Sequence, residues 1–171
     1  MIRKLPIGIQ DFETIITDNY LYIDKTELTH KLISTGKVYF LSRPRRFGKS
    51  LLISTLKAIF EGKKHLFKGL FIDSSDWKWQ KYPVFRLDLN AKKFDKPEQL
   101  IEMLKDSLQV FAETYHLKLS QSDEAGDFRK LLRQAHQKTG KKVAILIDEY
   151  DKPLLSTFQD TELNKKYRNI L

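Results

Sequence analysis

Two short clusters hold the residue types that could do chemistry. The first is Arg43-Pro44-Arg45-Arg46-Phe47-Gly48-Lys49-Ser50, which ends in Gly-Lys-Ser as the phosphate-binding loop G-x-x-x-x-G-K-[ST] does. Glycine at position 48 lets backbone amides approach an anion with no side chain in the way. Lys49 would reach the β and γ phosphates of a nucleotide, and the Ser50 hydroxyl would help to ligate Mg2+. The second cluster is Asp148-Glu149, an acidic pair that closes the apolar run Val143–Ile147. Such an aspartate holds Mg2+, usually through water, and the glutamate beside it can polarise an attacking water.

Each cluster also has an ordinary explanation. A Gly-Lys-[Ser/Thr] tripeptide arises by chance in about one chain in ten of this length, and it can be no more than a basic turn before a helix. An acidic pair can be a strand leaving the core for solvent. Arg43 stands where the loop pattern has its first glycine, so either arginine bears strain there or the loop enters by another path. The two clusters in the right order, 99 residues apart from Lys49 to Asp148, argue together for a nucleotide site.

Positioning these residues takes strands before the clusters and a helix after the first. Val38–Leu41 is a continuous β-prone run, read as a buried strand leading into the loop. Ser50–Phe60 has helical spacing, with Gly62 as its stop. Val84–Leu89 and Val143–Ile147 are read as two further strands. Between them lie a helix that starts at Pro97 and another that closes at Gly140. Upstream, a short helix is expected around Phe12–Ile16. Asp24-Lys25-Thr26-Glu27 resembles a capping box for a helix that stops at Gly36 in the left-handed conformation. Residues 63–82 look irregular, with Leu66, Phe67, Leu70, Phe71, Trp77 and Trp79 free to pack, and the tail from Lys152 is read as helical. Apolar runs alternating with helices indicate an α/β fold, a parallel sheet with helices on both faces.

Composition narrows the chemistry. The 171 residues contain no cysteine, which excludes disulfides, thiolate metal sites and cysteine nucleophiles. No run approaches the length of a membrane helix and the amino terminus has no secretory pattern, so the expected place is the cytoplasm. A net charge of +9 favours acidic partners, nucleotides or nucleic acid.

LPIGIQDF, YLYIDKTEL, YFLSRPRRFGKSLL, KYPVFRLDLN and ILIDEYDKPLL, in this order, closely resemble the AAA-ATPase-like proteins of bacteria and archaea. Their phosphate loop characteristically reads RPRRFGKS, so Arg43 looks like a family trait. The resemblance implies a P-loop NTPase-like core with ATP and Mg2+ as cofactors. It makes Gly48, Lys49 and Ser50 the Walker A residues and Asp148 and Glu149 the Walker B pair. Nucleotide contacts are expected from Arg45, Arg46, Phe47, Gly48, Lys49, Ser50 and Leu51, catalytic roles from Lys49 and Glu149, and metal ligation from Ser50 and Asp148. Tyr22, Asp24, Lys25 and Thr26 match a family signature whose only evident role is helix capping by Asp24. Residues 1–36 are read as an arm and helix of the same domain, and 37–171 as a partial core.

Family members are usually several hundred residues long and carry a nuclease-like carboxy-terminal domain, which nothing here matches. Glu61-Gly62-Lys63 spells a nuclease tripeptide without its strand or partner aspartate, and is read as chance. The family's sensor strand follows Walker B, yet only 23 residues follow Asp148 and they look helical, so the core is expected to stop after the Walker B strand. Weak nucleotide binding with poor or no hydrolysis follows as the expectation. The competing readings are a nucleic-acid-binding module using Arg43, Arg45, Arg46 and the lysines at 63, 64, 92 and 93, and a truncated product without function.

Overall fold

A computed structural model describes residues 3–44, 46–90, 96–120 and 123–170. The chain divides into two compact units, Met1–Lys81 and Tyr82–Leu171.

The first unit is helical. Asp11 caps helix α1 (Phe12–Thr17), its Oδ2 accepting from the Thr14 amide at 2.8 Å. Helix α2 spans Thr26–Thr35 and helix α3 spans Lys49–Phe60. Two 3-10 turns, Lys64–Phe67 and Phe71–Ser74, organise the stretch that reads as irregular in sequence. They bury Leu66, Phe67 and Ile72 against Phe12, Ala58 and Ile59. Phe12 stacks on Phe67 with centroids 4.6 Å apart and meets Tyr22 edge-on at 5.1 Å.

Three expectations for this unit are corrected. Val38–Leu41 forms no strand: Val38 is 92% exposed and Phe40 81% exposed. A strand exists through its ladder, and no described residue pairs with this run. Apolar β-prone residues can fill a place in a sheet but cannot supply the neighbours. Gly36 has φ −153°, extended rather than left-handed. A Cβ there would meet only the outer end of the half-exposed Tyr39 ring, 2.8 Å from its Cζ. The expected capping box does not form: Lys25 holds the cap position of α2 without a side-chain capping bond, while Asp24 accepts from the Thr26 amide at 2.8 Å in the turn before it and from the Phe71 amide at 2.7 Å with its second oxygen.

In the second unit, β1 (Val84–Asp88) and β2 (Ala144–Asp148) pair in parallel, in register from Val84↔Ala144 to Asp88↔Asp148. The crossover consists of α4 (Pro97–Tyr115) and α5 (Glu124–Thr139), which pack on one another. Pro97 starts α4, and Gly140 closes α5 with φ 65°. Phe85, Leu87, Leu100, Phe111 and Leu131 form the core, and Phe85 meets Phe111 edge-on at 5.5 Å. The Tyr115 hydroxyl accepts the Val84 amide at 2.8 Å. The tail forms α6 (Lys152–Ser156) and α7 (Thr161–Ile170), with Tyr167 buried.

The fold is therefore α/β, with a parallel sheet of two strands among the described residues where three were expected. β2 is also less enclosed than its apolar run suggests. Leu146 and Asp148 are buried while Ile145 and Ile147 are 44% and 40% exposed. Among the described residues β2 has one neighbouring strand, and part of its face is open to solvent.

Candidate functional site

In the first unit the basic turn leads into α3 as expected, but without the expected strand before it. Gly48 sits at the cap position with φ 75° and ψ 22°, and makes no side-chain capping bond. The first helical bond runs from the Leu52 amide to the Gly48 carbonyl at 2.9 Å. The amides of Lys49, Ser50 and Leu51 precede it, where a helix has no internal acceptor to offer them. These donors and the helix dipole favour an anion. The Lys49 ammonium turns back on the turn itself, donating to the carbonyls of Arg43 at 3.0 Å and Pro44 at 3.4 Å. Both bonds are exposed, so an incoming anion can replace them at little cost.

Arg43 is not among the residues with positive φ, so it bears no strain; Arg46 holds that conformation instead, at φ 68°. Phe47 is exposed, and Ser50 and Leu51 are half-buried on the first turn of α3. Arg45 lies outside the described residues.

In the second unit Asp148 ends β2 and is only 4% exposed, its Oδ1 accepting the Glu149 amide at 3.0 Å. Glu149 has φ 52°, a left-handed conformation that costs a non-glycine residue about 1–2 kcal/mol. Its carbonyl accepts the Lys152 amide at 2.9 Å, which closes the turn into α6. The Lys152 ammonium reaches the Asn90 carbonyl at 2.9 Å and its Oδ1 at 2.7 Å, tying the two loops that leave β1 and β2. Asp88 sits opposite Asp148 in register, with Oδ1 accepting from the Asn90 amide at 2.9 Å and Oδ2 3.6 Å from Arg86 Nη2. Sequence reasoning passed over Asp88, although Arg-Leu-Asp ends one strand much as Leu-Ile-Asp ends the other. Among the described residues no three acidic or histidine side chains converge as a metal cage.

Two of the lysines expected to meet nucleic acid, Lys63 and Lys64, are paired with carboxylates. Lys63 Nζ lies 2.5 Å from Glu13 Oε2 and 3.1 Å from Glu61 Oε2, and the Glu13 bond holds its pKa above the ordinary lysine value. Glu61-Gly62-Lys63 is thus part of an ion-paired corner. Lys64 faces Asp73 at 3.7 Å, while positions 92 and 93 lie outside the described residues.

The signature Tyr22-Asp24-Thr26 acquires a structural role. Thr26 is fully buried, and its hydroxyl donates to Asp24 Oδ1 at 2.7 Å and accepts the Ile72 amide at 3.1 Å. Together with the Asp24–Phe71 bond, this pins the start of α2 to the second 3-10 turn. Burial pushes the Asp24 carboxyl up, but the Phe71 and Thr26 bonds outweigh it and leave its pKa below the usual value.

Residues 6–171 match the family described as Predicted AAA-ATPase, and the chain belongs to that AAA-ATPase-like family. It is similar to a protein of Azotobacter chroococcum mcd 1 described as "Uncharacterized protein in vnfD 5′ region", with 39% identity over 169 residues. The match covers 98% of this chain and 33% of that relative, so the chain spans about one third of the relative's length. No solved structure matches it. Among the described residues no helix is long and apolar enough to cross a membrane.

Proposed function

We propose that this chain is an ATP- and Mg2+-binding domain of P-loop type, with hydrolysis weak or absent in this chain alone. One observation carries the reading: a left-handed Gly48 opens α3 without a side-chain cap, and among the described residues Lys49 is held by exposed loop carbonyls. Family membership adds to it, since nucleotide and Mg2+ use is general to such ATPases. In this reading the amides of Gly48 to Leu51 receive the phosphates, with Arg46 and Phe47 beside them; Arg45, the other expected contact, lies outside the described residues. Lys49 exchanges its bonds to Arg43 and Pro44 for the β and γ phosphates. Ser50 offers a hydroxyl and Asp148 a buried carboxylate to Mg2+, which when bound offsets phosphate charge. Glu149 would orient water, and its left-handed backbone is the kind of strain that functional turns keep.

Two features support weak hydrolysis. Val38–Leu41, which leads into the loop, has no ladder among the described residues to anchor it. The described residues after Asp148 are turns and two helices, with no strand to bring a sensor residue.

Titration with a fluorescent ATP analogue in Mg2+ is the direct test. Micromolar to millimolar binding should weaken at least tenfold in Lys49→Ala and on addition of EDTA. Binding that ignores both changes overturns the nucleotide site. Robust steady-state ATP turnover that Lys49→Ala abolishes would instead overturn the claim of weak hydrolysis.

A further inference from the structure

The segment that precedes the phosphate loop meets α3 at two consecutive buried polar residues, Ser54 and Thr55. Ser54 Oγ donates to Asp11 Oδ1 at 3.0 Å and accepts the Phe12 amide at 2.7 Å. The other oxygen of Asp11 accepts from the Thr14 amide at 2.8 Å and the Thr14 hydroxyl at 2.9 Å. One carboxylate thus serves two helices, capping α1 and gripping α3. At the next position, Thr55 donates to the Leu51 carbonyl at 2.8 Å and lies beside the Tyr22 hydroxyl.

Holding α3 in place does not by itself require these groups. Apolar packing of Ala58 and Ile59 against Phe12 and Phe67 already attaches the helix. Burying a serine and a threonine is unfavourable unless each is satisfied, so their directional bonds do something that packing does not. Packing tolerates a small rotation of a helix about its axis, whereas a hydrogen bond to a fixed carboxylate does not. Ser50 and Ser54 are four residues apart, hence within about 40° of each other around the helix. Whatever fixes the direction of Ser54 also fixes that of Ser50. A turn of one tenth about the axis would displace each Cα of α3 by about 1.4 Å, enough to misalign amides that must converge on a phosphate.

We propose that Asp11 and Tyr22 are positioning residues for nucleotide binding, setting the rotation of α3 through Ser54 and Thr55. The amides at 48–51 and the Ser50 hydroxyl then face the ligand before it arrives. This role rests on the proposed phosphate-loop reading.

Affinity for the fluorescent ATP analogue with Mg2+, measured beside thermal unfolding, tests it in the whole chain. Tyr22→Phe keeps the ring packed on Phe12 and removes only the hydroxyl; Ser54→Ala removes the grip on Asp11. Each is expected to weaken binding about threefold to tenfold while the binding amplitude stays that of a fully folded protein. Asp11→Asn added to Ser54→Ala should weaken it little further, since the two act as one unit, and Ser54→Thr should restore most of the affinity. A purely structural role would lower the folded fraction, and with it the amplitude, and leave Kd unchanged. Unchanged Kd in Tyr22→Phe and Ser54→Ala, with Lys49→Ala still abolishing binding, overturns the positioning role alone. A wild-type chain that binds no better than Lys49→Ala overturns the phosphate-loop reading, and the positioning role with it.

Discussion

Around Gly48 there is nothing within 4 Å of where a Cβ would stand, yet its φ is 75°. The constraint is conformational, not steric. Gly48→Ala should cost about 1–2 kcal/mol, read as a lower urea midpoint, and should weaken nucleotide binding more than it weakens the fold. Asp11 and Asp24 make a second prediction at this scale. Burial raises the Asp11 carboxyl, but bonds from the Thr14 amide and hydroxyl and from Ser54, with the Lys57 charge, bring its pKa below the usual value. Asp24 is lowered in the same way. Just below the ordinary aspartate pKa of 3.8, the unfolded chain takes up protons that the folded chain refuses. The stability these groups contribute is present above that value and is lost as pH falls through the folded pKa. Asp24→Asn should therefore flatten the acid limb of unfolding midpoint against pH, below the ordinary aspartate pKa of 3.8. An acid limb identical to wild type would show that Asp24 is not differentially ionised.

At the scale of elements, the aromatic centre of the first unit binds its turns to α1. Phe67 is fully buried between Phe12 and Trp79. Phe67→Ala should cost about 3–5 kcal/mol. Thr26→Val, which keeps the volume but strands the Ile72 amide, should cost about 1–3 kcal/mol by urea unfolding. Much of this arrangement could be read in the chain because its signals are local. Pro97 and Gly140 bracket the crossover helices, and the apolar runs ending at Asp88 and Asp148 are strands as expected. Val38–Leu41 carries the same local signal, yet whether such a run pairs depends on another segment being available. The second bond of Asp24 escaped for a related reason, since Phe71 is 47 positions away and no local pattern announces it. Of the site, Gly48 and the start of α3 were legible in type and place, whereas the grip of Asp11 on Ser54 spans 43 positions and left no trace in spacing.

On the scale of the whole chain, the apolar residues left in solvent matter most. If Phe40 were in a buried strand, its loss would cost several kcal/mol. Exposed as it is, Phe40→Ala should change stability by less than about 0.5 kcal/mol, a difference that one urea titration resolves. Ile147→Lys, on the open face of β2, should likewise be tolerated and should reduce self-association in light scattering. The parallel ladder has a further consequence, for the rate at which the second unit forms. Its paired residues, such as Val84 and Ala144, are 60 positions apart. Closing a loop of that length costs about 3.6 kcal/mol in chain entropy beyond a constant, and non-local contacts of this kind slow folding. Helices α4 and α5 adjoin in sequence and can dock early, shortening the distance the strands must still close. The ladder then completes late, so Leu146→Ala should raise the unfolding rate far more than it lowers the folding rate in stopped-flow chevrons. The acidic turn at Asp148-Glu149, which ends that ladder, would accordingly be among the last parts of the molecule to take its shape.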